Sequence, residues 1–434
     1  PMNQETGKTL LRLAANLGFR GGSLLAKFAL MIYVTRFIGL EAVGILGLLQ
    51  AANVIGTKII GFGLYFVANR DMVGTRPERQ AAIIRDQQIV YGVGYLAVLV
   101  LFFPAWSWTP EEYRHYFFYS AILLILGHQV LELGNILIAQ HRQLCANIII
   151  AITNGLWAVV LIPLGLMFKE WRTLDAVILG WLLGTLFSFL LALIFLSILP
   201  FAAAARRKPD WAWIKRALWR GMPLYIAGLA QNGSIYIDRY VVNGLAGLEL
   251  AGVFVMFWQF AYAVQVLVQT GLLTSEFPKL IADYKAGDDA GFWRRFRSMS
   301  MRMALAGGGF CLVAAIAIGP VVHFINQPLA AHYIGIFDVM LLGFWIKFQA
   351  DVSQYALYAR HQDKALTVAF ILTLMITSSV NFLFIWLWGL PGAAWALILV
   401  ALFQAGLQGW LLWRTRHIRL APDADNEIHE LAAT

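Results

Sequence analysis

The sequence predicts an all-α polytopic membrane protein of twelve transmembrane helices in two six-helix bundles. Three observations carry this expectation. Of the 434 residues, 60% are hydrophobic and only 13% charged, about half the charged share of a soluble domain, and the mean hydropathy is +0.69. Apolar runs of roughly 20 residues recur along the whole length, each long enough to cross a ~30 Å hydrocarbon core. The basic residues then alternate from one connection to the next, as the sidedness of a membrane demands.

The runs fall at 10–38, 41–69, 82–104, 112–140, 143–168, 173–203, 218–243, 248–280, 298–324, 330–359, 364–388 and 391–413. Strands do not reach these lengths, whereas helices satisfy every backbone polar group internally. With the N-terminus in the cytoplasm, the connections on that side hold 24 of the 33 Lys and Arg residues. Those on the other side hold three, Arg114, Lys169 and Arg172, and six lie within spans. A miscounted helix would scramble this pattern, so both termini are expected inside. The net charge of +9 then reflects topology, not nucleic-acid binding.

The chain divides into an N-terminal six-helix bundle (1–205), a cytoplasmic amphipathic linker (206–217), a C-terminal six-helix bundle (218–415) and a disordered cytoplasmic tail (416–434). In the linker region "DWAWIKRALWR" (210–220) sets Trp211, Trp213, Ile214 and Leu218 against Lys215, Arg216 and Arg220. It fits an interfacial helix and equally a basic flank with belt aromatics; "GFWRRFRSM" (291–299) reads the same way. Cys145 and Cys311 lie in apolar runs, so no disulfide is expected. Pro1 ahead of Met2 reads as an added residue, and the first span as an uncleaved anchor.

Two stretches echo each other. "GLEAVGI" at 39–45 and "GLELAGV" at 247–253 lie 208 residues apart. Each follows the first span of a six-helix half and opens the second. Both copies therefore share one membrane orientation, related by an axis along the membrane normal. Two such bundles enclose a central cleft.

Ionisable groups inside spans are costly, at least ~2.5–3.5 kcal/mol each at the bilayer centre. The cations are Arg20, Lys27 and Arg36 in the first span, Lys58 in the second, Arg239 in the seventh and Lys347 in the tenth. Arg36 is near enough to an end to snorkel. Arg20 and Lys27, seven residues apart, form one stripe about 10 Å long at the helical rise. The acids are Glu132, Asp238, Asp338 and Asp351, with Glu276 near the cytoplasmic end. Lys347 and Asp351 are spaced to neutralise each other at i, i+4, as are His128 and Glu132. Each buried charge has a plain alternative as half of a structural ion pair. For Arg20, Lys27, Lys58 and Arg239 that alternative is weakest, because the only nearby acid on the same helices is Asp238. An uncompensated cationic cavity calls for an anion from elsewhere, and substrate is the simplest source. Asp238, Glu132 and Asp351 are the candidate carriers of a coupling proton or sodium ion. No metal cluster, other cofactor site, phosphate-cradling glycine loop or nucleophile triad is evident.

Two stretches resemble a known family. "YVTRFIGLEAVGILGLLQAANVIGTKIIGFGL" (33–64) is similar to the first helix pair of oligosaccharide flippases, in the multidrug/oligosaccharidyl-lipid/polysaccharide exporter superfamily. "GMPLYIAGLAQNGSIYIDRYVVNGLAGLELAGVFVMFWQFAYAV" (221–264) is similar to their seventh and eighth helices, and "FPKLIADY" (277–284) matches the proline near the end of the eighth. The resemblance covers the whole chain in topology and about a quarter of it in motif. It implies a V-shaped cleft between the bundles. It also implies movement of undecaprenyl-pyrophosphate-linked oligosaccharide from the cytoplasmic to the periplasmic leaflet of a bacterial inner membrane. The product would serve O-antigen, capsule or exopolysaccharide assembly.

On that resemblance Arg20, Lys27 and Lys58 match basic cavity residues on helices 1 and 2 of the related lipid II flippases. The eighth helix departs, with no cation between 250 and 275, and Arg239 stands in for it. The expected partners are the lipid-linked oligosaccharide, membrane lipids, and a polysaccharide polymerase with its chain-length machinery, around a monomer. Lys347 joins the candidate substrate-binding set, and Trp258, Gln259, Tyr262, Gln231 and Asn232 are candidate sugar contacts. Two rivals remain at this point. A cation-coupled drug antiporter of the same superfamily would want an acidic cavity. A membrane-bound polysaccharide polymerase or glycosyltransferase would want a larger outer loop than "AWSWTPEEYR".

Overall fold

The computed structural model describes residues 2–108 and 111–416. For residues 2–17, 20, 102, 103, 105, 108, 112, 203 and 274 the description covers the backbone alone. The expected tail therefore lies, from 417 onward, outside the described residues. Twelve long helical segments follow one another: α1 (Met2–Phe37), α2 (Leu40–Gly61), α3 (Pro77–Trp108), α4 (Arg114–Ala139), α5 (Gln143–Met167), α6 (Leu174–Leu196), α7 (Trp211–Ala246), α8 (Leu248–Lys285), α9 (Asp289–Ile325), α10 (Gly335–Ala359), α11 (Asp363–Trp388) and α12 (Leu390–Arg414). No strand occurs among the described residues. Eight of the twelve pass a test of length and apolarity for crossing a membrane. Of the other four, α1, α7 and α10 carry most of the in-span charges, with Lys58 on α2 and Glu132 on α4.

Helix boundaries depart from the expected spans where local chemistry intervenes. The second span is not one helix. It breaks at Phe62 and Gly63, both with positive φ, and resumes as Leu64–Met72. The fifth is interrupted by a π-turn at Ile152–Leu156. The sixth stops at Leu196 and is followed by a short helix, Phe201–Ala205. The stretch 211–220 opens α7 without a break. Its Trp213, Ile214 and Ala217 are buried in the core of the first half, while Trp211 and Trp219 are exposed. Trp213 donates its indole N–H to Asp71 at 2.7 Å.

Asp210 caps this helix, accepting from the Trp213 backbone N–H at 2.9 Å. That hydrogen bond holds its carboxyl below the usual range. Asp210→Ala is expected to cost about 1 kcal/mol of stability at neutral pH. A depressed carboxyl contributes only above its unfolded value, so the difference from the parent should fade as pH drops below about 4. Thermal unfolding of the purified protein across pH checks both parts.

The repeated motif is a repeated piece of backbone. Gly39 and Gly247 take φ of +129° and +92° between α1 and α2 and between α7 and α8, a region that side chains disfavour. Five residues on, Gly44 and Gly252 bring α2 and α8 together. A Cβ on Gly252 would run into the carbonyl oxygen of Leu40, and one on Gly44 into that of Leu248. Leu40 and Leu248 are themselves 208 residues apart, so the crossing is a pseudo-twofold contact of the two halves. Below it Val255 lies on Gly47, and Gln259 donates to Gln50 at 2.9 Å. This crossing seals the cleft at the face opposite the basic connections. Along one side α2 and α7 stay together down to the basic face: Tyr240 donates to the Leu48 carbonyl, Tyr225 to that of Ile59, and Gly63 abuts Gly221.

Candidate functional site

Two neighbouring cavities open beneath the seal. The first, about 310 Å³, lies between the halves. Lys58, Tyr65 and Glu132 line it from the first half, and Tyr225, Gln231 and Tyr358 from the second. Lys58 is set there because α2 breaks four residues later, which leaves it in the last turn. It lies about 27 Å along the helix from Leu40 at 1.5 Å per residue, toward the basic face. Its ammonium sits 5.5 Å from the Tyr65 ring centroid and forms no ion pair or hydrogen bond among the described residues.

Glu132 stands at the centre of a buried polar network. Tyr91 donates to one carboxylate oxygen at 2.7 Å. His128 Nε2 lies 4.0 Å from the other, and Tyr95 bonds His128 Nδ1 at 2.7 Å. His128 and Glu132 are neighbours, as their spacing predicts, but form no hydrogen bond, and His128 Nε2 has no partner. The contacts to both come from the two tyrosines of α3. Sequence reasoning missed them, because one helix's spacing says nothing of its neighbour's.

Lys27 and Arg239 form a second tier, nearer the seal. They come from α1 and α7 and lie within coulombic reach of each other. Lys27 has its aliphatic stem against Gly155 in the α5 π-turn and makes no hydrogen bond or ion pair among the described residues. Arg239 is buried between two rings, 4.5 Å from the Tyr236 centroid and 4.4 Å from that of Trp258. Its Nε and Nη1 have no hydrogen-bond partner. Arg20 lies on α1, and its side chain is outside the described residues. Lys58 and the Lys27–Arg239 pair thus lie at two depths, Lys347 lies in the second cavity described below, and neither of these two cavities is lined by Lys27 or Arg239.

Removing one member of a buried opposite-charge pair is destabilising by about 3–5 kcal/mol, and Asp238 is a buried acid within coulombic reach of Arg239. Arg239→Met alone is therefore expected to lower thermal stability, and Asp238→Asn/Arg239→Met, which removes both charges, to recover much of it. A single variant as stable as the parent would show that the two charges do not support each other.

The second cavity, about 200 Å³, lies inside the second half. Lys347 and Asp351 meet in it at 2.8 Å, as their spacing predicts. Gln265 and Gln269 donate to the other oxygen of Asp351 at 2.8 and 2.7 Å. Asp238 lines the same cavity, and its Oδ1 accepts the Arg239 backbone N–H at 2.8 Å. Of the expected sugar contacts, Gln231 lines both cavities, Asn232 the first, and Trp258 and Tyr262 the second. Gln259 is engaged with Gln50 in the seal.

The same pattern of two halves around a cleft is found in solved transporters. An inward-facing multidrug-resistance MATE transporter of the MOP superfamily superposes with a TM-score of 0.73, over 95% of this chain and 99% of that one, at 12% identity. This chain has the MOP-superfamily transporter fold. The lipid II flippase MurJ in an inward closed conformation gives 0.70, over 93% of this chain and 87% of that one, at 12% identity. A Pyrococcus furiosus MOP-superfamily transporter, described as having a binding pocket of reversed polarity, gives 0.58 over 95% and 96% at 13% identity. No protein-family model and no curated protein sequence matches the chain. The fold makes this a multi-pass membrane protein of twelve transmembrane helices.

Proposed function

We propose that the protein is a secondary transporter that flips undecaprenyl-pyrophosphate-linked oligosaccharide across a bacterial inner membrane. The basic connections face the cytoplasm. One observation carries the reading. Lys27, Lys58 and Arg239 sit inside the membrane with no acid bonded to them. Glu132 and Asp238 are within coulombic reach of Lys58 and Arg239 without pairing, and Lys27 has only Arg239. Three cations thus stand against two acids and favour an anion. A pyrophosphate meets it, with Arg as a forked donor and Lys as a point charge.

In the state described here the outer seal is closed, and Lys58 in the first cavity is the receiving group. The halves 1–205 and 218–415 then rock about the α2–α7 contact. Opening the Gly44–Gly252 seal uncovers Lys27 and Arg239 as the second station, while the polyprenyl tail stays in lipid. Asp351 is already neutralised by Lys347, which leaves Glu132 and Asp238 to carry the coupling proton or sodium ion. The oligosaccharide would come from a cytoplasmic assembly pathway for O-antigen, capsule or exopolysaccharide. Nothing in this scheme calls for bond-making chemistry.

Reconstituted proteoliposomes carrying fluorescent undecaprenyl-pyrophosphate oligosaccharide test it. Protein-dependent loss of leaflet protection is expected. Efflux of an organic cation such as ethidium, with no lipid movement, would favour the drug-antiporter reading to which Asp238 in the second cavity lends itself.

A further inference from the structure

We propose that the cavity inside the second half is a subsite for one neutral sugar ring. The inference deepens the function proposed above and rests on it, since the ring would belong to the lipid whose phosphates occupy the first cavity. Its ground is an excess of unmet amides. Gln265 is buried, with its Oε1 lacking any partner. The side chains of Gln231, Gln354 and Gln404 line the same space and make no hydrogen bond among the described residues. Each amide offers two donors and an acceptor oxygen with two lone pairs. The buried Gln265 oxygen left without a partner is costly, and the other three amides leave their donors and acceptors available in a half-polar space.

The charges there are largely spent. Asp351 already takes an ion pair and two amide N–H groups. Trp258 and Tyr262 stack on each other at 4.7 Å and 15° and form an aromatic wall. Neutral donors and acceptors in one shell, beside aromatic rings, match a polyhydroxy ring with its apolar C–H face. An organic cation would leave the amide N–H groups unmet, and a second phosphate would face Asp238 and Asp351.

The position fits as well. Gln231 walls both cavities. One turn of α10 separates Tyr355 in this cavity from Tyr358 in the first, and one turn of α11 separates Thr373 from Phe370. A headgroup held by Lys58 can therefore place its first sugar here. The volume of about 200 Å³ admits a single pyranose and not a chain. The pocket would read the sugar next to the pyrophosphate and leave the rest of the repeat unread.

The test uses the full-length purified protein with methyl glycosides of glucose, galactose and N-acetylglucosamine, observed by saturation-transfer NMR and calorimetry. At least one is expected to bind, and Gln354→Leu/Gln404→Leu should weaken it tenfold or more. Farnesyl pyrophosphate binding by that variant should change less than twofold. If the leucine pair does not fold, Gln354→Asn/Gln404→Asn is read in the same way. No glycoside binding, or binding that neither pair disturbs, overturns the inference, as does ethidium binding that Asp238→Asn abolishes. Glycoside binding without farnesyl pyrophosphate binding would leave the subsite standing and remove the proposed substrate.

Discussion

On the proposed function, Gly252→Val is expected to hold the protein open at the face opposite the basic connections and to abolish export. The new side chain meets the Leu40 carbonyl, which is backbone and cannot rotate away. Overpacking costs about 1–3 kcal/mol, and here the cost falls only on the sealed state. A selective penalty of that size shifts a two-state equilibrium roughly 5- to 150-fold. Spin labels at Glu41→Cys and Glu249→Cys, in a background lacking Cys145 and Cys311, should report a longer mean distance. Gly44→Val should act alike, by the symmetry of the contact. Gly244→Val is the control, since nothing lies within 4 Å of a Cβ there. Equal distances in Gly252→Val and the parent would remove the seal from the mechanism.

The second large effect is expected at Lys58. Hydrogen bonds to charged groups contribute about 1.5–3 kcal/mol, so Lys58→Met should weaken pyrophosphate-lipid binding roughly 10- to 150-fold. Lys58→Arg should keep most of it. Lys58→Glu should eliminate export, because it sets a second carboxylate beside Glu132 in the first cavity. Export complementation in cells, at matched expression, checks all three. Lys27→Met is predicted to bind substrate nearly normally and yet export slowly, because its station is covered in the sealed state.

Much of the architecture was legible because it is written in one-dimensional signals. Span number follows from apolar length and from alternating Arg and Lys. The duplication follows from "GLE", whose glycines turn out to hold equivalent positive-φ corners. Lys347–Asp351 and His128–Glu132 were readable because i, i+4 fixes neighbours on one helix. What stayed hidden crosses between helices. Spacing gave Arg20, Lys27, Lys58 and Arg239 a shared theme, but not the depths that separate Lys58 from Lys27 and Arg239. The Tyr91 and Tyr95 partners of Glu132 and His128 come from α3, where a tyrosine reads as an ordinary membrane aromatic. The glutamines around Asp351 were missed because a neutral amide carries no charge to flag. Gln265 and Gln269, four apart in an apolar helix and bonded to one carboxylate, were the available sign. The break at Phe62–Gly63 was masked by the apolar residues around it.

The most direct measurement is calorimetric binding of farnesyl pyrophosphate to the purified protein, set beside farnesol and tetraphenylphosphonium. The expected result is saturable, salt-sensitive binding of the pyrophosphate alone, weakened at least tenfold by Lys58→Met, with Lys27→Met and Arg239→Met adding little while their station is covered. Tight binding of tetraphenylphosphonium with none of the pyrophosphate, or pyrophosphate binding indifferent to all three substitutions, would contradict an anion-receiving vestibule.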